Sequence, residues 1–145
     1  KRPSIIDFGG VSMILGHGID LINENRIEYI LNRHGRRFEE KYFSESEIAR
    51  AKEKHKRSAV YAKCWACKEA FSKALGTGIR DGLYMKDISL QRDELGKPQI
   101  QLNDRSMSRL YEIFKIGSKV DIHVSIADDF PWIQASVIIC EGNKK

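Results

Sequence analysis

The chain has 145 residues, 41% of them hydrophobic and 31% charged, and carries a net charge of +5. That length supports one domain with a full core, and no apolar run approaches the roughly 20 residues that cross a bilayer. A membrane protein is therefore not expected, and the basic balance favours an anionic partner: a polyphosphate ligand, an acidic protein or a nucleic acid. Ile5-Ile6 and Met13-Ile14-Leu15 are too short and too interrupted by glycine to form a secretory leader, so a cytoplasmic location is expected.

Residues 1–12 show no period and read as an N-terminal extension to which no role is assigned, with 13–145 as a single domain. Ile14 to Ile22 reads as a strand. Its alternation puts Gly16, Gly18 and Asp20 on one face and Leu15, Ile19 and Leu21 on the other. Glycine inside a strand marks close approach of another backbone or a ligand. Asn23 or Asn25 can cap a short helix with Ile27, Ile30 and Leu31 on its apolar side, closed by Gly35. Arg26 falls in its first turn, where a cation opposes the helix dipole. Phe38, Tyr42 and Phe43 form an aromatic patch, followed by Ser44-Glu45-Ser46-Glu47, a capping box that opens the next helix. That helix runs through Lys52, and Lys54-His55-Lys56-Arg57 reads as its exposed end.

A long helix spans Ser58 to Leu75, free of Gly and Pro, with Val60, Cys64, Cys67, Phe71 and Ala74/Leu75 as its buried stripe. Glu69 lies about 200° round the helix from Phe71, away from that stripe. Lys73 stands one turn beyond Glu69 on the same side, the spacing of an ordinary solvated pair. Gly76 ends the helix, and Gly76-Thr77-Gly78 leaves small residues where a ligand can approach. The three cysteines, Cys64, Cys67 and Cys140, are an odd number, and no second Cys/His pair has zinc spacing. The Cys64/Cys67 pair therefore reads as buried small hydrophobes.

Two further strands, Asp87 to Arg92 and Gln99 to Leu102, flank a turn containing Gly96-Lys97-Pro98. Asn103 or Asp104 caps a helix that reaches Phe114, with Met107, Leu110 and Phe114 (or Ile113) inward and Gly117 as its end. Val120 to Ile126 alternates cleanly: Val120, Ile122, Val124 and Ile126 face the core, and Asp121, His123 and Ser125 face the other way. Trp132 to Ile139 is the closing strand. Strand, helices, hairpin, helix, hairpin is an α+β order with a mainly antiparallel sheet packed against a long central helix.

Gly18-Ile19-Asp20, Arg26 six residues on, and Trp65 through Gly78, with its Lys-Glu-Ala-Phe-Ser-Lys-Ala core and trailing Gly-Thr-Gly, together resemble the holo-[acyl-carrier-protein] synthases, the small bacterial 4′-phosphopantetheinyl transferases. Gly96-Lys97-Pro98 and His123-Val124-Ser125-Ile126 fall where that family has similar motifs, and the resemblance runs from Met13 to about Cys140. It implies the fold of that family and an enzyme that moves the phosphopantetheine arm of coenzyme A onto a serine of apo acyl carrier protein, in fatty acid biosynthesis, releasing adenosine 3′,5′-bisphosphate. Asp20 and Glu69 match its magnesium ligands, a chemistry that suits a hard ion taking carboxylate, water and phosphate oxygens. Asp20, Glu69 and Lys73 are then the catalytic set. Lys73, Gly76, Thr77, Gly78, Lys97, Pro98, His123 and Ser125 match positions that contact coenzyme A, and Arg26 matches a residue facing the acidic carrier protein. The resemblance further implies a homotrimer with each site built across a subunit boundary.

Three positions depart from the family pattern. Cys64 replaces a basic residue, which would weaken a phosphate contact; Cys67 replaces a common alanine; and Asp128 stands where many relatives carry a second histidine. The competing reading is a basic nucleic-acid-binding module built on Arg33 to Arg37 and Lys52 to Arg57. It lacks a recognisable motif, and Glu39, Glu40 and Glu53 interrupt its basic runs.

Overall fold

A computed structural model describes residues 13–142, so the expected extension, 1–12, lies outside the described residues. Strand β1 (Ile14–Asn23) leads into helices α1 (Glu24–His34), α2 (Arg36–Tyr42), α3 (Glu45–Lys52) and α4 (Arg57–Leu75). A short 3-10 turn (Met85–Asp87), the hairpin β2 (Ile88–Arg92) and β3 (Pro98–Leu102), helix α5 (Asp104–Phe114) and the hairpin β4 (Val120–Asp129) and β5 (Trp132–Glu141) complete the chain. The fold is the expected α+β arrangement. β1, β5 and β4 form one antiparallel sheet with β5 in the middle, and β2 and β3 form a separate pair.

The two glycines of β1 explain how the sheet and the central helix meet. A methyl group added at Gly16 would sit 1.9 Å from the Ala74 carbonyl oxygen, and one at Gly18 would sit 2.0 Å from that of Ala70. The close approach is therefore to helix backbone. Two residues of strand advance about 6.7 Å and four residues of helix about 6 Å, so glycines two apart mesh with alanines four apart. Ala66, Ala70 and Ala74 are all buried along this seam. On the same side of the sheet, Ile133, Ala135, Val137 and Ile139 of β5 are fully buried against α4.

α4 is more deeply enclosed than a single apolar stripe predicts. The sheet packs on one side and α1 and α3 on others, so Tyr61, Ala62, Lys68 and Ser72 are buried as well as Cys64, Cys67 and Phe71. All three cysteines are free, and Cys64 and Cys67 behave as core hydrophobes. Burial pushes the Cys67 thiol up to about 12, which leaves almost no thiolate for redox or metal chemistry.

Most predicted ends hold. Asn23 caps α1 and Gly35 closes it; the Ser44–Glu47 capping box opens α3; Asn103 caps α5. Three details differ. The aromatic patch lies largely on a helix of its own, α2, which is short and has no side-chain cap to announce it. α5 ends at Lys115, in a left-handed conformation, rather than at Gly117. The run 54–57 is exposed as expected but joins α3 to the start of α4, and two of its cations are also paired: Lys56 Nζ lies 3.1 Å from Glu24 and Arg57 Nη1 3.1 Å from Glu39, both buried carboxylates. Lys56 also sits over the Phe130 ring at 4.2 Å, tying the tip of the β4–β5 hairpin to the start of α1.

The remaining face of the sheet is open. Ile19 is 49% exposed and Leu21 62%, beside His17 and the outward residues of β4 and β5. No helix among the described residues is long and apolar enough to cross a membrane.

Candidate active site

Asp20 lies on the glycine face of β1, two residues beyond Gly18. The strand–helix stagger places it beside the turn of α4 that carries Glu69. Its side chain is 15% exposed, and Lys73 donates to its Oδ1 at 3.1 Å. Lys73 is thus paired across the elements with Asp20; among the described residues it makes no ion pair along the helix with Glu69, which sets aside the ordinary solvated i,i+4 reading.

Burial pushes the Asp20 carboxyl above its ordinary value, with Lys73 and then Arg26 opposing the rise. Burial also raises that of Glu69, and the negative charge of Asp20 adds to it, again against Lys73 and Arg26. The four side chains therefore share one electrostatic site: two carboxylates from a strand and a helix, a lysine from the next turn of that helix, and an arginine from the first turn of α1. Two half-buried carboxylates that repel each other gain from a cation held between them. No group of three or more His, Cys, Asp or Glu side chains is arranged around a point among the described residues. The donor set suits an ion that completes its shell with water and phosphate oxygens, as Mg²⁺ does.

At the end of α4, Gly76 and Gly78 both adopt positive φ. Their amides donate back to Lys73 and Ser72 carbonyls, and the Thr77 hydroxyl donates to the Gly78 carbonyl at 2.9 Å. Lys97 and Pro98 lie on the separate β2–β3 hairpin, where the Lys97 amide donates to Asp93.

His123 and Ser125 are not beside Asp20. Asp20 pairs in register with Ala135, and Ala135 with Ile126, so Asp20 shares a face with Ile122, Val124 and Ile126. His123 and Ser125 alternate with these and lie on the open face, with Ile19 and Leu21. Within one chain the sheet separates them from the carboxylates.

The expectation that Cys64 weakens a phosphate contact is corrected. Cys64 is a core position, fully buried, with Arg50 Nη2 3.5 Å from its sulfur. Its neighbour Lys63 instead reaches Asp128 at 3.2 Å, so two variant regions of the sequence meet as an ion pair. Two features escaped sequence reasoning. One is the buried pair Lys68–Glu47, 2.6 Å apart, immediately beside Glu69 in the chain; a lysine between Cys67 and two further buried turns was its available signal. The other is a cleft of about 450 Å³ between α1, α2 and α4, floored by Ile27, Phe38 and Trp65 and rimmed by Arg26, Arg37 and Lys41.

A family model described as "4′-phosphopantetheinyl transferase superfamily" matches residues 16–127, from the first of the paired glycines through His123 and Ser125. The chain belongs to this superfamily. The holo-[acyl-carrier-protein] synthase of Sinorhizobium fredii is 46% identical over 127 residues, which cover 88% of this chain and 91% of that one. Among solved structures, the holo-[acyl-carrier-protein] synthase of Neisseria meningitidis aligns with a TM-score of 0.78 at 30% identity, covering 88% of this chain and 98% of that one. The holo-(acyl-carrier-protein) synthase of Bacillus anthracis, crystallised in complex with CoA (3′,5′-ADP), aligns with a TM-score of 0.73 at 31% identity, covering 90% and 99%. The chain is thus an enzyme of the phosphopantetheinyl transferase class. The basic runs behind the nucleic-acid reading are partly spent on ion pairs, Arg36 with Glu40 and Arg57 with Glu39.

Proposed function

We propose that this chain is a magnesium-dependent holo-[acyl-carrier-protein] synthase, transferring the 4′-phosphopantetheine of coenzyme A to a serine of apo acyl carrier protein. The observation that carries the proposal is the pairing of Asp20 with Glu69 across β1 and α4, with Lys73 and Arg26 around them, in a chain of this superfamily. Asp20 and Glu69 would hold the cation through carboxylate oxygens. A Mg²⁺ ion held by them would supply Lewis acidity toward the phosphates of coenzyme A. Lys73, half exposed at the end of the helix, would neutralise charge on the departing bisphosphate. Gly76, Thr77 and Gly78 follow directly and leave space for a nucleotide against the backbone, with Lys97 and Pro98 as further contacts.

Arg26 links the carboxylates to the cleft, because it faces both. An acidic carrier helix suits the rim of Arg26, Arg37 and Lys41, and the apolar floor suits a hydrophobic side chain from it. That arrangement would bring the carrier serine to the carboxylates and gives the Arg26 charge a reason to oppose its helix dipole.

His123 and Ser125 can contribute only from a second copy, since their own Asp20 is behind the sheet. A homotrimer closed through the open sheet face would bury Ile19 and Leu21 and carry these two side chains to a neighbour's site. Sedimentation equilibrium should give three chain masses for the wild type and one for Leu21→Asp; a wild-type monomer would refute the shared site.

The reaction is tested by mass spectrometry of an apo acyl carrier protein incubated with the enzyme, coenzyme A and Mg²⁺. A gain of one phosphopantetheine, abolished by EDTA, is expected. Glu69→Gln should lower the rate by at least about a hundredfold while remaining folded, since even outer-shell partners of a metal cost roughly 10–100-fold. Undiminished transfer by Glu69→Gln would exclude the two-carboxylate site.

A further inference from the structure

We infer that Lys73 is the resident counter-ion of the site: without a divalent cation its ammonium occupies Asp20, and the cation must displace it. The inference rests on the two-carboxylate site proposed above. Asp20 has little freedom, because it is 15% exposed and its strand is locked to α4 by glycine-to-backbone contacts. Lys73 is 52% exposed and carries its charge on a flexible four-carbon stem. Of the two partners, the lysine is the one free to leave.

The ion pair spans β1 and α4, from a helix position where Glu69 stands one turn away and offers a nearer acidic neighbour in sequence. Asp20 and Glu69 are close enough to repel, so a positive charge among them relieves the protein in the absence of metal. An ammonium and a divalent cation on one carboxylate repel each other strongly in this half-buried setting. The two therefore compete. A released Lys73 lies at the last turn of α4, next to Gly76, Thr77 and Gly78, where an anionic ligand would receive it. The phosphates of such a ligand draw the ammonium off Asp20 and raise the affinity for the cation, so cation and phosphate ligand load cooperatively.

Binding of Mn²⁺ to the 145-residue chain without coenzyme A, followed by the electron paramagnetic resonance of free Mn²⁺, tests this directly. Lys73→Met and Lys73→Gln should each bind Mn²⁺ about tenfold or more tightly than wild type, and Lys73→Arg, which keeps the charge, should bind no more tightly. Circular dichroism confirms that each variant is folded, as expected for an exposed side chain. Equal or weaker binding by the folded neutral variants, or no binding by any of the proteins, overturns the inference. Glu69→Gln separates the two levels. If it loses Mn²⁺ while Lys73→Met gains nothing, the counter-ion role falls and the carboxylate site stands. If it binds Mn²⁺ as the wild type does, the carboxylate site falls and the counter-ion role with it.

Discussion

Lys68→Met should destabilise the protein by about 3–5 kcal/mol, the usual cost of removing one partner from a buried ion pair. Lys68 and Glu47 are both 0% exposed. The ammonium lies 2.6 Å from Glu47 Oε1, donates to the Met85 carbonyl at 2.9 Å, and also donates to the carbonyl of Ile88. Without it, a carboxylate is left charged in the core and two carbonyls lose their donor. Glu47 is engaged from other sides too: its oxygens accept from the amides of Ser44 at 2.9 Å and Leu90 at 3.1 Å. The pair therefore joins α3, α4, the 3-10 turn and β2 at one point. The double variant Glu47→Gln/Lys68→Met should regain part of the loss, because no charge remains and the side-chain amide oxygen still accepts from one of the two backbone amides, while its NH2 meets the other. Urea unfolding of the wild type, the single variant and the double variant measures this. A loss below about 1 kcal/mol for Lys68→Met would mean that the core relaxes around the orphaned carboxylate.

Gly18→Ala should be comparably severe, with activity falling further than stability. The added methyl would lie 2.0 Å from the Ala70 carbonyl oxygen and 2.6 Å from the Ala74 nitrogen, atoms of a helix that cannot turn aside as a side chain can. Strand and helix must separate, at a cost of about 3 kcal/mol or more, the upper end for overpacking. The separation falls between Asp20 and Glu69, and a misplacement of about 1 Å can cost about a hundredfold in rate. Gly117→Ala is the control. It has no contact within 4 Å and no positive φ, so it should be nearly neutral. Thermal unfolding and the carrier-protein assay on both variants decide the matter. A fully active Gly18→Ala protein would show that the seam is not what aims the carboxylates.

Much of this was legible from residue patterns, and the exceptions share a physical cause. The glycines of β1 announced a close backbone contact, and the break at Gly76 announced the end of α4. Alternation within β4 grouped His123 with Ser125 correctly. It also put the aliphatic residues of β4 inward, but it could not say that Asp20 shares that buried face, because this depends on registers across three strands and β1 buries its glycine face rather than Leu15, Ile19 and Leu21. Glu47 read as a capping residue and is one, but its second role depends on Lys68, 21 residues away in the chain. The ion pairs of Lys56 and Arg57 were hidden for the same reason: their partners, Glu24 and Glu39, are distant in sequence. α2 has only seven residues, too few for a helical period to declare itself.

Where most strands and helices meet, a layer of side chains lies between them and acts as a cushion; a change of one methylene anywhere in that layer lets the two elements slide. At the seam of β1 and α4 there is no such cushion. The distance between the two carboxylate-bearing backbones is set there by direct contact of main-chain atoms rather than by intervening side chains. Sequence drift in the rest of the core can change how firmly the protein holds together, and drift around the cleft can change whom it meets. The aim of Asp20 and Glu69 at each other depends on them less, because at this seam backbone rests on backbone.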